Sequence, residues 1–243
     1  YEIKIKVKIG DEEEESYIKT VKHNTSQTPG GIDKNAPTII SFKVSSPNFT
    51  NTEIDVVAKA IDEDDGISAY MFSRNGNLTG SSEGWTSVSN TKEEVTYTYK
   101  VRENGTYYFY VKDRSGNYNK KEIVVISIDK EPPQVIIENN GGEYAVEPGS
   151  NTAQININLN VKDEGTSGIN ILQYKLISSD TTSEGSGTNW KDIGRNNKIV
   201  EEKEIGTYYL YLKVIDNAGN EANVKRSNPY VVRNKIKYDA NGG

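Results

Sequence analysis

The residues most able to do chemistry in this chain are acids and amides at three separate places in its second half. Carboxylate and amide oxygens are the ligands that calcium prefers, so their convergence would make a cation site. The sequence predicts that site at the start of a domain, in the turn after its second strand and in the turn after its sixth. Its candidate ligands are Asp129, Glu131, Asp163, Glu164, Asp216 and Asn220.

The first half of the chain offers a similar acidic set. Its members are Asp33, Asp62, Glu63, Asp64, Asp65 and Asp113. A structural interpretation competes with calcium in both halves, because an Asp or Asn side chain caps its own turn while Gly116 or Gly219 supplies a positive φ. The sequence contains no twelve-residue EF-hand loop.

Catalytic chemistry has few candidates. The chain has no cysteine, and its one histidine, His23, precedes the repeated part of the sequence. Cys/His and thiolate–zinc sites are therefore excluded, and a Ser-His-Asp triad would need His23 to reach a folded repeat. Carboxylate pairs suited to glycoside hydrolysis are compatible with the composition, but the acids lie in turns, where solvated charge is the default. We expect no catalytic site and no enzyme activity in these residues.

The charge balance limits the partners. The 243 residues carry 29 Lys and Arg against 35 Asp and Glu, a net charge of −6. Nucleic-acid binding needs a basic face, so that class is disfavoured. No apolar run is long enough to span a membrane, and we expect no membrane contact.

A repeated strand and turn defines the organisation. Residues 105–117 read GTYYFYVKDRSGN, and residues 206–220 read GTYYLYLKVIDNAGN. The second copy is longer by two residues, one full period of a strand, so equivalent side chains keep the same face. A strand and turn repeated about 100 residues apart indicate tandem domains.

Each copy contains about seven short alternating runs with turn signals between them, as in an immunoglobulin-like sandwich. The last strand of each copy is predicted at Glu122–Ile128 and at Ala222–Val232. The fold class is therefore all-β, with tandem immunoglobulin-like β-sandwiches. The predicted bounds are 30–130 and 131–233, preceded by a hairpin and linker at 1–29 that would end an earlier sandwich.

The sixth strand should bury one face. Tyr107, Phe109 and Val111 alternate with Tyr108 and Tyr110, and the second copy repeats the pattern. The first set should point inward, and a tyrosine beside the Gly-Thr corner could bond back to the backbone. The outward tyrosines could bind sugar or protein, or could pair across an exposed sheet. These candidates are Tyr108, Tyr110, Tyr209 and Tyr211.

The motifs together resemble bacterial immunoglobulin-like repeats of Gram-positive cell-surface proteins. The resemblance covers residues 32–232 and rests on Ile-Asp-Lys-x-x-Pro, the acidic turn, a lone Trp, Gly-Thr-Tyr-Tyr and Asp-x-Ala-Gly-Asn. Residues 234–243, with Tyr-Asp-Ala-Asn-Gly-Gly, are similar to the first strand of a Listeria–Bacteroides-type repeat.

The resemblance implies an extracellular location, on the cell surface or in the cell wall, and a non-catalytic stalk or spacer that holds a distal domain away from the cell. Two alternatives remain open. One is an adhesive module that binds host glycan or extracellular protein, and the other is an accessory part of a secreted glycoside hydrolase or protease. A Lys–Asn isopeptide bond is known in surface sandwiches of this kind, but no spacing here singles one out.

Overall fold

The computed structural model describes residues 33–178, 189–223 and 226–235, and in these ranges the chain forms β-strands and no helix. The predicted all-β class is confirmed. The predicted N-terminal hairpin, His23 and most of the predicted C-terminal strand lie outside the described residues. No helix in the described part is long and apolar enough to cross a membrane.

The first sandwich contains seven described strands in two sheets. One sheet has the order β1-β2-β5 and the other β4-β3-β6-β7. The strands are β1 (Thr38–Val44), β2 (Ile54–Ile61), β3 (Ile67–Ser73), β4 (Thr86–Thr91), β5 (Val95–Val101), β6 (Gly105–Asp113) and β7 (Tyr118–Val125).

Strict alternation in the sequence builds the first core. In β2, every second side chain is buried, so Val56 and Ala58 face inward while their neighbours are half-exposed. Phe109 of β6 meets them from the other sheet and is fully buried. Removing an aromatic side chain of this size from water contributes about 1.5–3 kcal/mol, so the paired faces hold the sheets together.

The second sandwich repeats this plan with one change of edge. Its three-stranded sheet has the order β13-β10-β8, and its five-stranded sheet has the order β12-β11-β14-β15-β9. Strand β9 pairs in parallel with β15. The strands are β8 (Gln134–Ile137), β9 (Gly142–Val146), β10 (Thr152–Lys162), β11 (Ile169–Ile177), β12 (Lys191–Asp192), β13 (Lys198–Glu204), β14 (Gly206–Asp216) and β15 (Tyr230–Asn234).

The predicted last strands are shifted. Strand β7 already begins at Tyr118, because the turn before it is tight enough for Tyr118 to pair with Lys112. Strand β15 begins only at Tyr230, directly after Pro229, rather than at Ala222. Before it, Glu221 and Arg226 pair with β14 as isolated bridges. Pro229 lacks the N–H that a ladder needs, and β15 starts at the next residue.

The two tyrosines beside the Gly-Thr corners bond back to the backbone, as predicted. The Tyr107 hydroxyl donates to the Glu103 carbonyl at 2.7 Å, and the Tyr208 hydroxyl donates to the Glu204 carbonyl at 3.1 Å. Each bond fixes the chain where it enters β6 or β14.

Candidate metal centre

The second sandwich brings together three of the six predicted ligands. Asp129, Asp163 and Asp216 each offer a carboxylate oxygen, and these atoms lie within 4.8 Å of one another. That spacing is about twice a calcium–oxygen bond of roughly 2.4 Å, so one ion could touch all three. Asp129 and Asp216 are buried.

Backbone amides already occupy much of this cluster. Asp129 Oδ2 accepts hydrogen bonds from the amides of Thr166 (3.1 Å) and Ser167 (2.9 Å). Its Oδ1 accepts one from the Glu131 amide at 3.1 Å. Burial opposes ionisation of Asp129, but the hydrogen bonds from Ser167, Glu131 and Thr166 outweigh it, and the pKa of this carboxyl falls below its ordinary value.

Backbone amides also donate hydrogen bonds to the carboxylates of Asp163 and Asp216. Asp163 Oδ1 accepts from the Gly165 amide at 3.2 Å. Asp216 Oδ1 accepts from the amides of Ala218 and Asn220, and Asn220 Nδ2 donates to Asp216 Oδ2 at 2.7 Å. These contacts are those of carboxylates that cap turns.

The remaining predicted ligands do not complete a cation site. Glu131 and Glu164 are exposed and lie outside the carboxylate group. Asn220 presents its amide nitrogen to Asp216 and to the Asp129 carbonyl, and a nitrogen that donates cannot ligate a cation. In this half of the chain, therefore, the contacts favour turn capping.

The first sandwich gathers a denser group. Asp33, Asp62, Asp65 and Asp113 offer one oxygen each, again within 4.8 Å of one another. Asp62 and Asp113 are buried, the other two half-buried. The other two acids predicted for this set, Glu63 and Asp64, lie outside the group.

Part of this group also caps turns. Asp62 Oδ1 accepts from the amides of Asp64, Asp65 and Gly66 at 2.9–3.1 Å. Asp113 accepts from Asn117 through both the backbone amide (2.8 Å) and the side chain (2.7 Å).

Two features distinguish this group from the one in the second sandwich. Asp33 Oδ2 is buried and has no hydrogen-bond partner among the described residues. Burial raises the pKa of Asp113, and the nearby Asp65 charge raises it further, despite the lowering effect of its bonds from Asn117. Negative charge is therefore held here at an energetic cost that a bound cation would reduce.

The signal for this preference was present in the sequence. The turn of the first repeat reads Asp-Glu-Asp-Asp-Gly, whereas the turn of the second reads Asp-Glu-Gly-Thr-Ser-Gly. The first turn has two additional acids, Asp64 and Asp65. Of these, Asp65 joins the carboxylate group, and its Oδ2 accepts from Ser115 Oγ at 2.6 Å.

The four tyrosines of the predicted binding face do not share one exposed surface. Tyr110 and Tyr211 are 0% and 2% exposed. The Tyr110 hydroxyl donates to the Asn75 carbonyl at 2.8 Å, because the loop after β3 folds over this face. In the second sandwich, Arg226 bridges to Tyr211 and lies over the ring of Tyr209. Alternation placed these side chains correctly on the outer face, but it could not show that loops cover it.

The two tryptophans lie over that same face, each with a lysine. Lys112 Nζ is 4.5 Å from the centre of the Trp85 ring, and Lys175 Nζ is 4.7 Å from that of Trp190. Trp85 also meets Tyr110 edge-on at 6.4 Å. These contacts agree with a packing role for the tryptophans.

Comparisons with known proteins found likeness only among solved structures. No protein family matched the chain, and no curated protein did. The fibronectin(III)-like modules of Clostridium thermocellum CbhA are 13% identical, with 81% of this chain and 94% of that chain covered and a TM-score of 0.31. The FN1–FN3 domains of chicken CNTN1 are also 13% identical, with 79% and 66% covered and a TM-score of 0.34. Both TM-scores lie below 0.5, so the sandwich assignment rests on the strands, sheets and cores described above.

Proposed function

We propose that the two sandwiches form a non-catalytic spacer in an extracellular, cell-surface protein of a Gram-positive bacterium. The proposal is supported chiefly by the join between the two cores. Ile128 is buried in the first core, and Val135 is buried in the second, so six residues separate them. A spacer must transmit position from one domain to the next, and a short ordered join does so better than a flexible linker.

The join is also stiff in composition. It contains Pro132 and Pro133, whose rings fix φ, and Pro133 is itself buried. Flexible linkers rich in Gly and Ser would instead let each domain turn independently.

Distance measurements between two spin labels test this proposal. The chain has no native cysteine, so Thr98→Cys and Lys162→Cys, both at exposed strand positions, would take one label in each sandwich. A narrow distance distribution by pulsed electron paramagnetic resonance is expected in the full chain.

A matched control inserts Gly-Ser-Gly-Ser after Lys130 in the same labelled chain. The insertion should broaden the distribution, because a flexible linker relaxes both separation and orientation. An equally broad distribution without the insertion would contradict the spacer proposal.

The adhesive alternative loses its main surface. Tyr110 and Tyr211 are covered, so the face expected to bind host glycan or protein is occupied by the protein's own loops. The spacer role is therefore favoured over adhesion through these tyrosines.

A second proposal is calcium binding by the first sandwich, through Asp33, Asp62, Asp65 and Asp113. The buried Oδ2 of Asp33 has no hydrogen-bond partner among the described residues, which favours this group over the amide-filled cluster around Asp129. Calcium that binds only the folded state at about 100 times its Kd would stabilise that sandwich by about 2.7 kcal/mol.

Thermal melts in chelator and in millimolar calcium check this. Trp85 reports on the first sandwich once Trp190→Phe removes the other tryptophan. Calcium should raise the melting temperature seen by Trp85, and Asp33→Asn should abolish the rise. The matched variant Asp216→Asn, in the second sandwich, should leave it intact. A melt that does not move with calcium would rule out the site.

A further inference from the structure

We infer that Asp129 restrains the joint between the two sandwiches. Its backbone amide is held by the first sandwich, and its carbonyl and side chain are held by the second. This inference deepens the proposed spacer function and rests on it. It assigns the stiffness of the join to one side chain and the loop that receives it, not to the prolines alone.

Hydrogen bonds within the first sandwich hold the chain up to the amide of Asp129. Asn104 brackets Ile128, accepting from its amide at 2.9 Å and donating to its carbonyl at 2.7 Å. The Asp129 amide then donates to the Thr50 carbonyl at 2.9 Å. The Ile128 side chain is buried in the first core.

The second sandwich holds the same residue through hydrogen bonds to its side chain and its carbonyl. Asp129 Oδ2 receives the amides of Thr166 and Ser167, both in the turn between β10 and β11. Asn220, in the turn after β14, donates to the Asp129 carbonyl at 2.9 Å. The bonds to its carboxylate are charge-assisted and hence stronger than bonds between neutral groups.

These contacts leave little freedom at the joint. A residue has only two soft backbone dihedrals, φ and ψ. At Asp129 the amide on one side is tied to Thr50 and the carbonyl on the other is tied to Asn220. Rotation between the sandwiches must therefore break at least one of these bonds or release the carboxylate.

Gly165 is the part of the receiving loop that allows this approach. A Cβ atom built at Gly165 would overlap both carboxylate oxygens of Asp129. Gly165 has no positive φ, so its missing side chain matters for space and not for backbone conformation. An alanine there should expel the carboxylate while leaving its charge on the chain.

Two variants in the Thr98→Cys, Lys162→Cys labelled chain test the inference. Asp129→Ala removes the carboxylate, and Gly165→Ala fills the space that the carboxylate occupies. Both should widen the distance distribution relative to the parent, whereas Glu164→Ala, at the exposed neighbouring position, should not. Trp190 emission during thermal melts shows that the second sandwich is still folded.

The outcomes separate the two proposals. A narrow distance distribution in the parent, with broad distributions in Asp129→Ala and Gly165→Ala, supports the restraint by Asp129. A narrow distribution in the parent and in both variants overturns the restraint by Asp129 and leaves the spacer function standing. A broad distribution in the parent overturns the spacer function itself.

Discussion

Asp113 and Asp129 both belong to acidic groups at the turns, but their pKa values shift in opposite directions. Burial and the Asp65 charge raise the pKa of Asp113. Burial also opposes the charge of Asp129, but its amide donors overcome that cost and lower the pKa. The balance between burial, neighbouring charge and hydrogen-bond donors therefore sets the direction of each pKa shift.

This difference predicts a pH effect for the first sandwich. Because the folded pKa of Asp113 is raised, its ionisation costs stability in full above that pKa. Asp113 therefore contributes greater stability as pH falls from neutral towards the ordinary aspartate pKa. Asp113→Asn should flatten this dependence in chelator, as measured by Trp85 emission in chains that lack Trp190.

The comparison is between parent and variant, since other acids titrate in the same range. Coincident pH profiles would contradict the assignment. Asp129 has the opposite sign: its lowered pKa stabilises the fold above the ordinary aspartate pKa, and this contribution is lost as pH falls through the folded pKa.

At this scale the sequence predicted that six residues would converge, and three of them do lie together. It could not distinguish Asp33 from Asp129, because both follow Ile and precede Lys. The difference lies in whether loop amides reach the second carboxylate oxygen, and that depends on loop conformation.

Among the elements, the equivalent strands β6 and β14 allow the two sandwiches to be compared directly. Tyr107 and Tyr208 occupy equivalent positions and make equivalent hydroxyl-to-carbonyl bonds. Their settings differ, since Tyr107 is 5% exposed and Tyr208 is half-buried. A carbonyl that loses its partner costs more where water cannot replace it.

Tyr107→Phe should therefore destabilise the first sandwich by about 1 kcal/mol, within the usual range for a lost hydrogen bond. Tyr208→Phe should cost the second sandwich less. Urea titrations followed by Trp85 or Trp190 alone would measure each loss. Equal losses, or a larger one for Tyr208→Phe, would contradict the argument from burial.

Alternation predicted most strands well, including the inward set Tyr107, Phe109 and Val111. It missed β9, whose pairing with β15 depends on contacts distant in sequence. It also treated the outward tyrosines as open, because periodicity assigns a side chain to a face without showing what covers that face.

For the whole molecule, the tandem repeat was the most reliable sequence signal. Two separate cores appear, one running from Phe42 to Ile128 and one from Val135 to Val232. The predicted residue bounds of the domains stay predictions. What the sequence did not reveal is that Asp129 bonds to both sandwiches.

That shared residue bears on how the chain resists digestion. Proteases usually nick tandem proteins at the segments between domains, where chain is free to enter their clefts. Lys130 offers trypsin an exposed side chain, yet the amides on either side of it, those of Asp129 and Glu131, are both hydrogen-bonded.

Brief trypsin treatment should therefore leave the Lys130–Glu131 bond whole while cutting elsewhere, and mass spectrometry of the fragments would show where. Asp129→Ala should open that bond to cleavage. Early release of two half-length pieces from the unaltered chain would contradict this expectation. A restrained joint would therefore keep the two sandwiches connected where proteases cut loosely linked domains apart.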